Sequence, residues 1–174
     1  MKTRVLIIAS LLLIIAATGC SMMPGRTGHA LRDIERLSKI KDPVDKIPQL
    51  VDYLGFRGML GCERVARAAK DAIVETGYPA ILYIDASLHD VKRGEQARVY
   101  LLRAYTEIQH TGAALKLLDI SRDANETIYL RVEAIKLLVE LRWTDAKPYF
   151  KHLFEDPKEP KEIRKAAKCA YGHL

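Results

Sequence analysis

The sequence predicts an all-α protein built from stacked helical pairs, and three observations lead there. Arginines at positions 64, 98, 131 and 164 recur at a near-constant interval. Ala, Leu, Lys, Arg and Glu, all strong helix formers, dominate the segments around them. No stretch alternates apolar and polar residues with the period of two that a half-buried strand requires. A fixed period of roughly 20 to 50 residues marks architectures in which each unit hides its apolar face against the next.

The chain opens with a short positive head, Lys2 and Arg4. Val5 to Ala17 follow, all apolar or small apart from Ser10. A run this short fits the apolar region of a secretory signal, whereas a spanning helix needs about 20 residues. Ala17 and Gly19 are small enough to precede a cleavage site. The run ends on Ala17-Thr18-Gly19-Cys20, which resembles the lipobox of bacterial lipoproteins, with Ala17 in place of the commoner Leu. The resemblance implies that residues 1–19 are a lipoprotein signal peptide and that the Cys20 thiol is acylated. It also implies, in the usual case, a further acyl chain on the new N-terminus. Each buried methylene stabilises attachment by about 0.8 kcal/mol, so two or more chains anchor a protein firmly. In enterobacteria-like lipoproteins an Asp after the cysteine favours inner-membrane retention. Ser21 stands there instead, which implies the outer membrane facing the periplasm in a Gram-negative cell. An ordinary signal peptide or an uncleaved anchor is the other reading of this segment.

Residues 20–41 are expected to form the lipidated tether and a short capping helix. SMMPGRTGHA, Ser21 to Ala30, is rich in Gly, Pro and polar residues and reads as an extended link reaching roughly 33 Å. In ALRDIERLSKI, Leu31, Ile34 and Leu37 stand at helical spacing with Ile40 beyond. This predicts a short helix over the first repeat.

Residues 42–174 are long enough to bury a core. Four segments align on their arginines: ERVARAAKDAIVETG, ARVYLLRAYTEIQHTG, LRVEAIKLLVELRW and IRKAAKCAYGHL. Ten residues after each arginine stands an apolar residue, Val74, Ile108, Leu141 and Leu174. A shorter helix is predicted ahead of each, over IPQLVDYL, YPAILYIDASL, AALKLLDIS and AKPYFKHLF. Pro48, Pro79 and Pro148 are expected in first turns, where a missing N–H costs nothing. Asp45 and Asp145 are expected as caps, and Gly77 and Gly112 as left-handed helix terminators. Asn125 and the Asp156-Pro157 pair are expected to mark the starts of later long helices. Leu130 to Leu141 is apolar on more than one face, so neighbours must cover it from several sides.

The pattern of a proline or small residue, apolar pairs, an acid, then Arg-Val and an Ala-rich helix resembles HEAT-like repeats. The match is best in residues 63–77 with IPQLVDYL ahead of them, and it extends over 42–174. A tetratricopeptide array has a similar period, but its first helix carries a bulky residue followed by Gly and Tyr, and its proline ends the repeat. Here proline opens the shorter helices and the Gly-Tyr pair is missing from them. The resemblance implies a right-handed α-α superhelix of about four helical hairpins. It also implies an arginine ladder in which each Arg bonds an acid or carbonyl of its own or a neighbouring repeat. Asp52, Asp85 and Asp119, which precede Arg64, Arg98 and Arg131 at a near-constant offset, are the expected partners.

Cys62 and Cys169 fall three repeats apart. Packed helices sit about 8–10 Å apart and a disulfide needs Cα atoms within about 7 Å, so both are expected to be free, largely buried thiols. No CxxC or zinc spacing occurs. The histidines, His29, His89, His110, His152 and His173, show no metal-ligand pattern such as HExxH. Asp85-Ala-Ser-Leu-His89-Asp90 reads as a polar inter-helix loop rather than a metal site, and Ser87 lacks a nucleophile turn. Asn125-Glu126-Thr127 matches a glycosylation acceptor but reads as a helix cap. EDPKEPKEIRK reads as a solvated loop and helix start. Tyr78, Tyr83, Tyr100, Tyr105, Tyr129, Trp143, Tyr149 and Phe150 serve equally as anchors of a concave groove or as packing.

The formal net charge of +6 includes Lys2 and Arg4 of the signal. The remaining excess is mild and spread along the chain, which does not indicate nucleic acid. No catalytic, cofactor-binding or metal-binding residue is predicted, and Cys20 is the one assigned site, for lipid. The expected function is therefore non-enzymatic: a membrane-anchored surface for another envelope protein. Two other readings stand beside it. Some HEAT-like families resemble phycobilin lyases, whose repeats cradle a tetrapyrrole; that reading requires an absorbing ligand and a cytoplasmic protein. The other is a structural module that dimerises through its end, since the last repeat stops at Leu174 without a polar cap.

Overall fold

A computed structural model describes residues 24–55, 62–90 and 92–174. The predicted signal peptide and Cys20 lie outside these residues. Every regular element among the described residues is helical. The α-helices are α1 (Pro24–Ser38), α2 (Pro43–Leu54), α3 (Cys62–Thr76), α4 (Ile81–Leu88), α5 (Glu95–Gln109), α6 (Ala114–Arg122), α7 (Ile128–Glu140), α8 (Lys147–Glu155) and α9 (Lys161–His173). None is long and apolar enough to cross a membrane.

The first departure from expectation is α1. The segment read as an extended link is helical from Pro24 onward. A proline at the first position loses no intrahelical bond, and packing outweighs the propensity cost of Gly25 and Gly28. Ala30, Ile34 and Leu37 are buried against the rest of the fold, and α1 lies on α2 and α3.

Helix termini follow local chemistry at positions that differ in part from those expected. Asp42, not Asp45, caps α2, its carboxylate accepting from the Val44 N–H at 2.9 Å. Pro43 takes the first turn, which leaves Pro48 inside the helix. Pro79 sits in the 3-10 turn Tyr78–Ala80 that leads into α4, and Pro148 in the first turn of α8. Asp145 lies in the 3-10 turn Thr144–Ala146, which has no side-chain cap. Gly77 adopts φ 70 and ends α3 as expected. After α5 the left-handed position falls on His110, φ 49, while Gly112 lies in the 3-10 turn that follows. Thr127, not Asn125, caps α7 by accepting from Leu130 N–H. Asp156 ends α8, and α9 starts only after Pro160.

Each shorter helix packs on the longer helix that follows it: α2 on α3, α4 on α5, α6 on α7 and α8 on α9. The longer helices also pack in series, α3 on α5, α5 on α7 and α7 on α9. One contiguous apolar cluster runs from Ala30 to Ala170. Ala80, Ala113 and Ala146 recur with the period of the arginines, at the entry to α4, α6 and α8, and are fully buried. A larger side chain there would overpack the joint. Helix α7 is buried on more than one side, as its sequence requires. Leu130, Ala134, Ile135, Leu137 and Leu138 are buried, and α5, α6 and α9 cover it.

Candidate functional site

The aligned arginines divide into two kinds. Arg98 and Arg131 are buried, at 5% and 3% exposure, whereas Arg64 and Arg164 are exposed. Arg98 Nε donates to the Leu88 carbonyl at 2.7 Å and its two terminal nitrogens bind both oxygens of Glu126. Arg131 Nε donates to the Ser121 carbonyl at 3.0 Å, and its Nη2 binds both oxygens of Glu159 at 2.9 Å. Each arginine thus ties the end of the short helix before it to the turn after the next short helix. The geometry satisfies a buried charge through a carboxylate and a carbonyl together, the condition under which burial of an ion pair is tolerated. The partners differ from the expected acids. Asp52 pairs with Arg93 and Asp85 with Lys116, while Asp119 is exposed.

The turns that supply Glu126 and Glu159 share one construction. The Asp123 carboxylate accepts from Asn125 N–H, and that of Asp156 from Lys158 N–H. The same turn stands at the corresponding place one period earlier, where Asp90 accepts from Lys92 N–H. There the residue three beyond the aspartate is Arg93 rather than glutamate. An arginine at that position cannot supply Arg64 with the carboxylate that Arg98 and Arg131 receive.

Among the described residues, two depressions lie along the longer helices. The larger, of about 910 Å³, lies mainly between α7 and α9 and is chiefly apolar. Its α7 wall is Ile128, Val132, Ile135 and Val139, and its α9 wall includes Ala166, Cys169 and Ala170. The smaller, of about 410 Å³, is bounded by α3, α5 and Tyr129, with Val99, Tyr100 and Arg103 among its lining. Tyr129 belongs to both and is 46% exposed. Cys169 is a free, exposed thiol, contrary to the expected burial, because its side of α9 faces this groove instead of the core.

Other polar groups on the longer helices are held by structure. Arg103 binds the buried Glu133, Oε1 to Nε at 2.6 Å. Burial of Arg103 opposes its charge, but the hydrogen bond and charge of Glu133 prevail and raise its pKa. Lys70 behaves alike: burial acts to lower its pKa, yet the bonds to Glu107 and Asp71 raise it. His89 lies 3.0 Å from Lys116 Nζ, which also binds Asp85 at 2.6 Å. A lysine thus occupies the space between the residues that a metal reading of Asp85 to Asp90 would require. Among the described residues no group of three or more His, Cys, Asp or Glu is placed to hold a metal ion.

Of the aromatic residues expected as anchors, Tyr129 and Tyr100 face the depressions. Phe150 is in the core, Tyr149 is half-buried under Arg122 with 4.7 Å from guanidinium carbon to ring centre, and Tyr78 is exposed. Sequence reasoning missed Glu126 and Glu159 and the α7–α9 groove. The two glutamates had a legible signal, Asp-x-x-Glu starting at Asp123 and again at Asp156, with each glutamate five positions ahead of the next arginine. No family model, curated protein or solved structure matches the chain.

Proposed function

We propose that this chain is a lipid-anchored scaffold of the bacterial cell envelope, a HEAT-like α-solenoid that binds another envelope protein through the face of its longer helices. The observation that carries the reading is the clamp at Arg98, in which carbonyl, arginine and glutamate combine, and its recurrence one period later at Arg131. A recurring joint between successive helix pairs is what a quasi-one-dimensional stack needs, and such stacks offer extended binding faces. The mooring rests on the lipobox-like Ala17 to Cys20, with Ser21 favouring the outer membrane. The step from architecture to protein binding is by analogy of form. It gains weight from the chiefly apolar depression between α7 and α9 and the half-exposed Tyr129 on that face.

Cell fractionation and crosslinking test it together. Cys20→Ala is expected to release the protein from the membrane fraction, and metabolic labelling with a palmitate analogue is expected to be lost. A variant that stays membrane-bound and still lacks residues 1–19 rules out lipidation. A photo-crosslinker at Tyr129 is expected to capture one envelope protein, and the same probe at exposed Leu82, on α4, is not. Equal capture at both positions, or none at Tyr129, defeats the binding face.

A further inference from the structure

The α7–α9 groove has the stereochemistry of an unfilled helix seat. Ile128, Val132, Ile135 and Val139 are separated by four, three and four residues, the spacing with which one helix meets another along a coiled-coil seam. On α9 the facing positions Ala166, Cys169 and Ala170 are small, so a third helix can approach closely. Three turns of α7 separate Ile128 from Val139, a run of roughly 16 Å at about 1.5 Å per residue. Ile128 is 42% exposed, Val132 and Val139 are only partly covered, and Ile135 between them is buried and forms the floor. An amphipathic helix laid in such a groove buries its own stripe against these residues.

Charge states what that helix carries on its flanks. Lys161, Lys165 and Lys168 follow one another at i, i+4 and i+7 along α9 and are all exposed. Lys165 borders the groove, and none of the three has an acidic partner within ion-pair distance among the described residues. Lys136, on the opposite side, is 3.6 Å from the buried Glu133, which Arg103 also binds, so that side sets two acids against one partly engaged base. The uncommitted charges on that side are Glu95 of α5 and Glu140 of α7. Glu162 also borders the groove, in the first turn of α9, where the helix dipole favours a negative charge.

We propose that the groove binds an amphipathic helix of a partner protein, with large apolar residues at heptad spacing, acids on the flank beside α9 and bases on the flank beside α5 and α7. This rests on the reading of the chain as a protein-binding scaffold and gives that reading a partner chemistry. The asymmetry of the two flanks also fixes the direction in which the bound helix runs.

Cys169 supplies a reporter inside the groove. Full-length protein in phosphatidylcholine vesicles is treated with N-ethylmaleimide, and alkylation of Cys169 is followed by mass spectrometry. Three synthetic peptides of equal length are compared: one with a leucine stripe at i, i+4, i+7 and i+11, Glu on one flank and Lys on the other; one with Lys on both flanks; and one with the first peptide's composition but no stripe. At ten times its dissociation constant the first peptide is expected to slow alkylation about tenfold, in proportion to the unbound fraction. The all-lysine peptide is expected to bind roughly threefold or more weakly, the size expected of a few exposed charge pairs. Lys165→Glu with Lys168→Glu, both at exposed positions, is expected to reverse that order, with an unchanged thermal melt showing that the fold is intact. Equal protection by the stripeless peptide, protection by oleate alone, or protection that rises with protein concentration alone would each overturn the proposal. They would assign the groove to non-specific contact, a lipid or a second copy. No protection by the first peptide also overturns it. Any of these outcomes leaves the Tyr129 crosslink to judge the wider reading separately.

Discussion

Arg98 and Glu126 show what a single residue contributes here. Both lie out of water, with side-chain exposures of 6% and 14%, so each charge depends on the other. Glu126→Ala leaves the Arg98 guanidinium with the Leu88 carbonyl as its remaining partner. It is expected to destabilise the fold by about 3–5 kcal/mol, the cost of stranding a buried charge. Urea unfolding followed by circular dichroism measures this. Glu63→Ala, which breaks the exposed pair with Arg67, is the control, with an expected loss of about 0–1 kcal/mol. Arg98→Met combined with Glu126→Leu is expected to recover most of the loss, because a packed apolar pair removes the desolvation cost on both sides. The arginine was legible from its period; its partner left only the recurring Asp-x-x-Glu at Asp123 and Asp156, which does not say which arginine each glutamate meets. The regular offset of Asp85 points to an acid ahead of Arg98 in the chain. The clamp in fact closes downstream, in a turn whose position depends on how the next pair stacks.

At the scale of elements, the chain reversals decide the fold, and two of them use a residue that is not glycine. Arg142 ends α7 with φ 53. Its N–H donates to the Val139 carbonyl at 2.9 Å, and Trp143 N–H to Leu138 at 3.0 Å. This is the paired-bond helix terminus that glycine normally serves. The exposed arginine side chain makes no ion pair among the described residues, so Arg142→Gly relieves left-handed strain at little loss of contact. It is expected to stabilise the protein by about 0.5–1 kcal/mol, net of the entropy glycine carries in the unfolded chain. A rise in the urea midpoint at constant slope checks it. The same preference misled the reading of α5, where glycine at 112 drew the terminator two residues past His110. Propensity names the residues that favour a reversal, while the packing of the next helix sets the residue at which it occurs.

The described residues pack around one apolar cluster, and their titration reflects that. Tyr149, whose buried hydroxyl makes no hydrogen bond of good geometry among the described residues although Ser121 lies beside it, has its pKa raised because burial outweighs the lowering effects of Ser121 and Arg131. Tyr53 is raised by burial and by Asp33, which accepts its hydroxyl at 3.2 Å. Lys70 is raised because its bonds to Glu107 and Asp71 outweigh its burial. In all three the fold favours the protonated form. Their contribution is therefore complete below the unfolded values near pH 10 and is lost as pH rises through the higher folded ones. Stability is expected to fall above about pH 10. Tyr149→Phe is expected to flatten part of that fall without loss at neutral pH, since it removes an unpaired buried hydroxyl and keeps a ring for Arg122 to stack on. Thermal melts of both proteins at pH 8 and pH 11 decide the matter.

Local composition and period were enough to establish helices throughout residues 42–174, the pairing of short with long ones, the need to cover α7 on several sides and the four arginine positions. These are encoded in residues within a few turns of one another, where helix propensity and apolar spacing act directly. The helical run from Pro24, the glutamate partners of Arg98 and Arg131, the exposure of Arg64 and Cys169, and the α7–α9 groove were fixed only when the pairs packed together. Each depends on which surfaces meet between segments far apart in the chain. That outcome is set by the summed burial of many side chains, which no window of sequence contains.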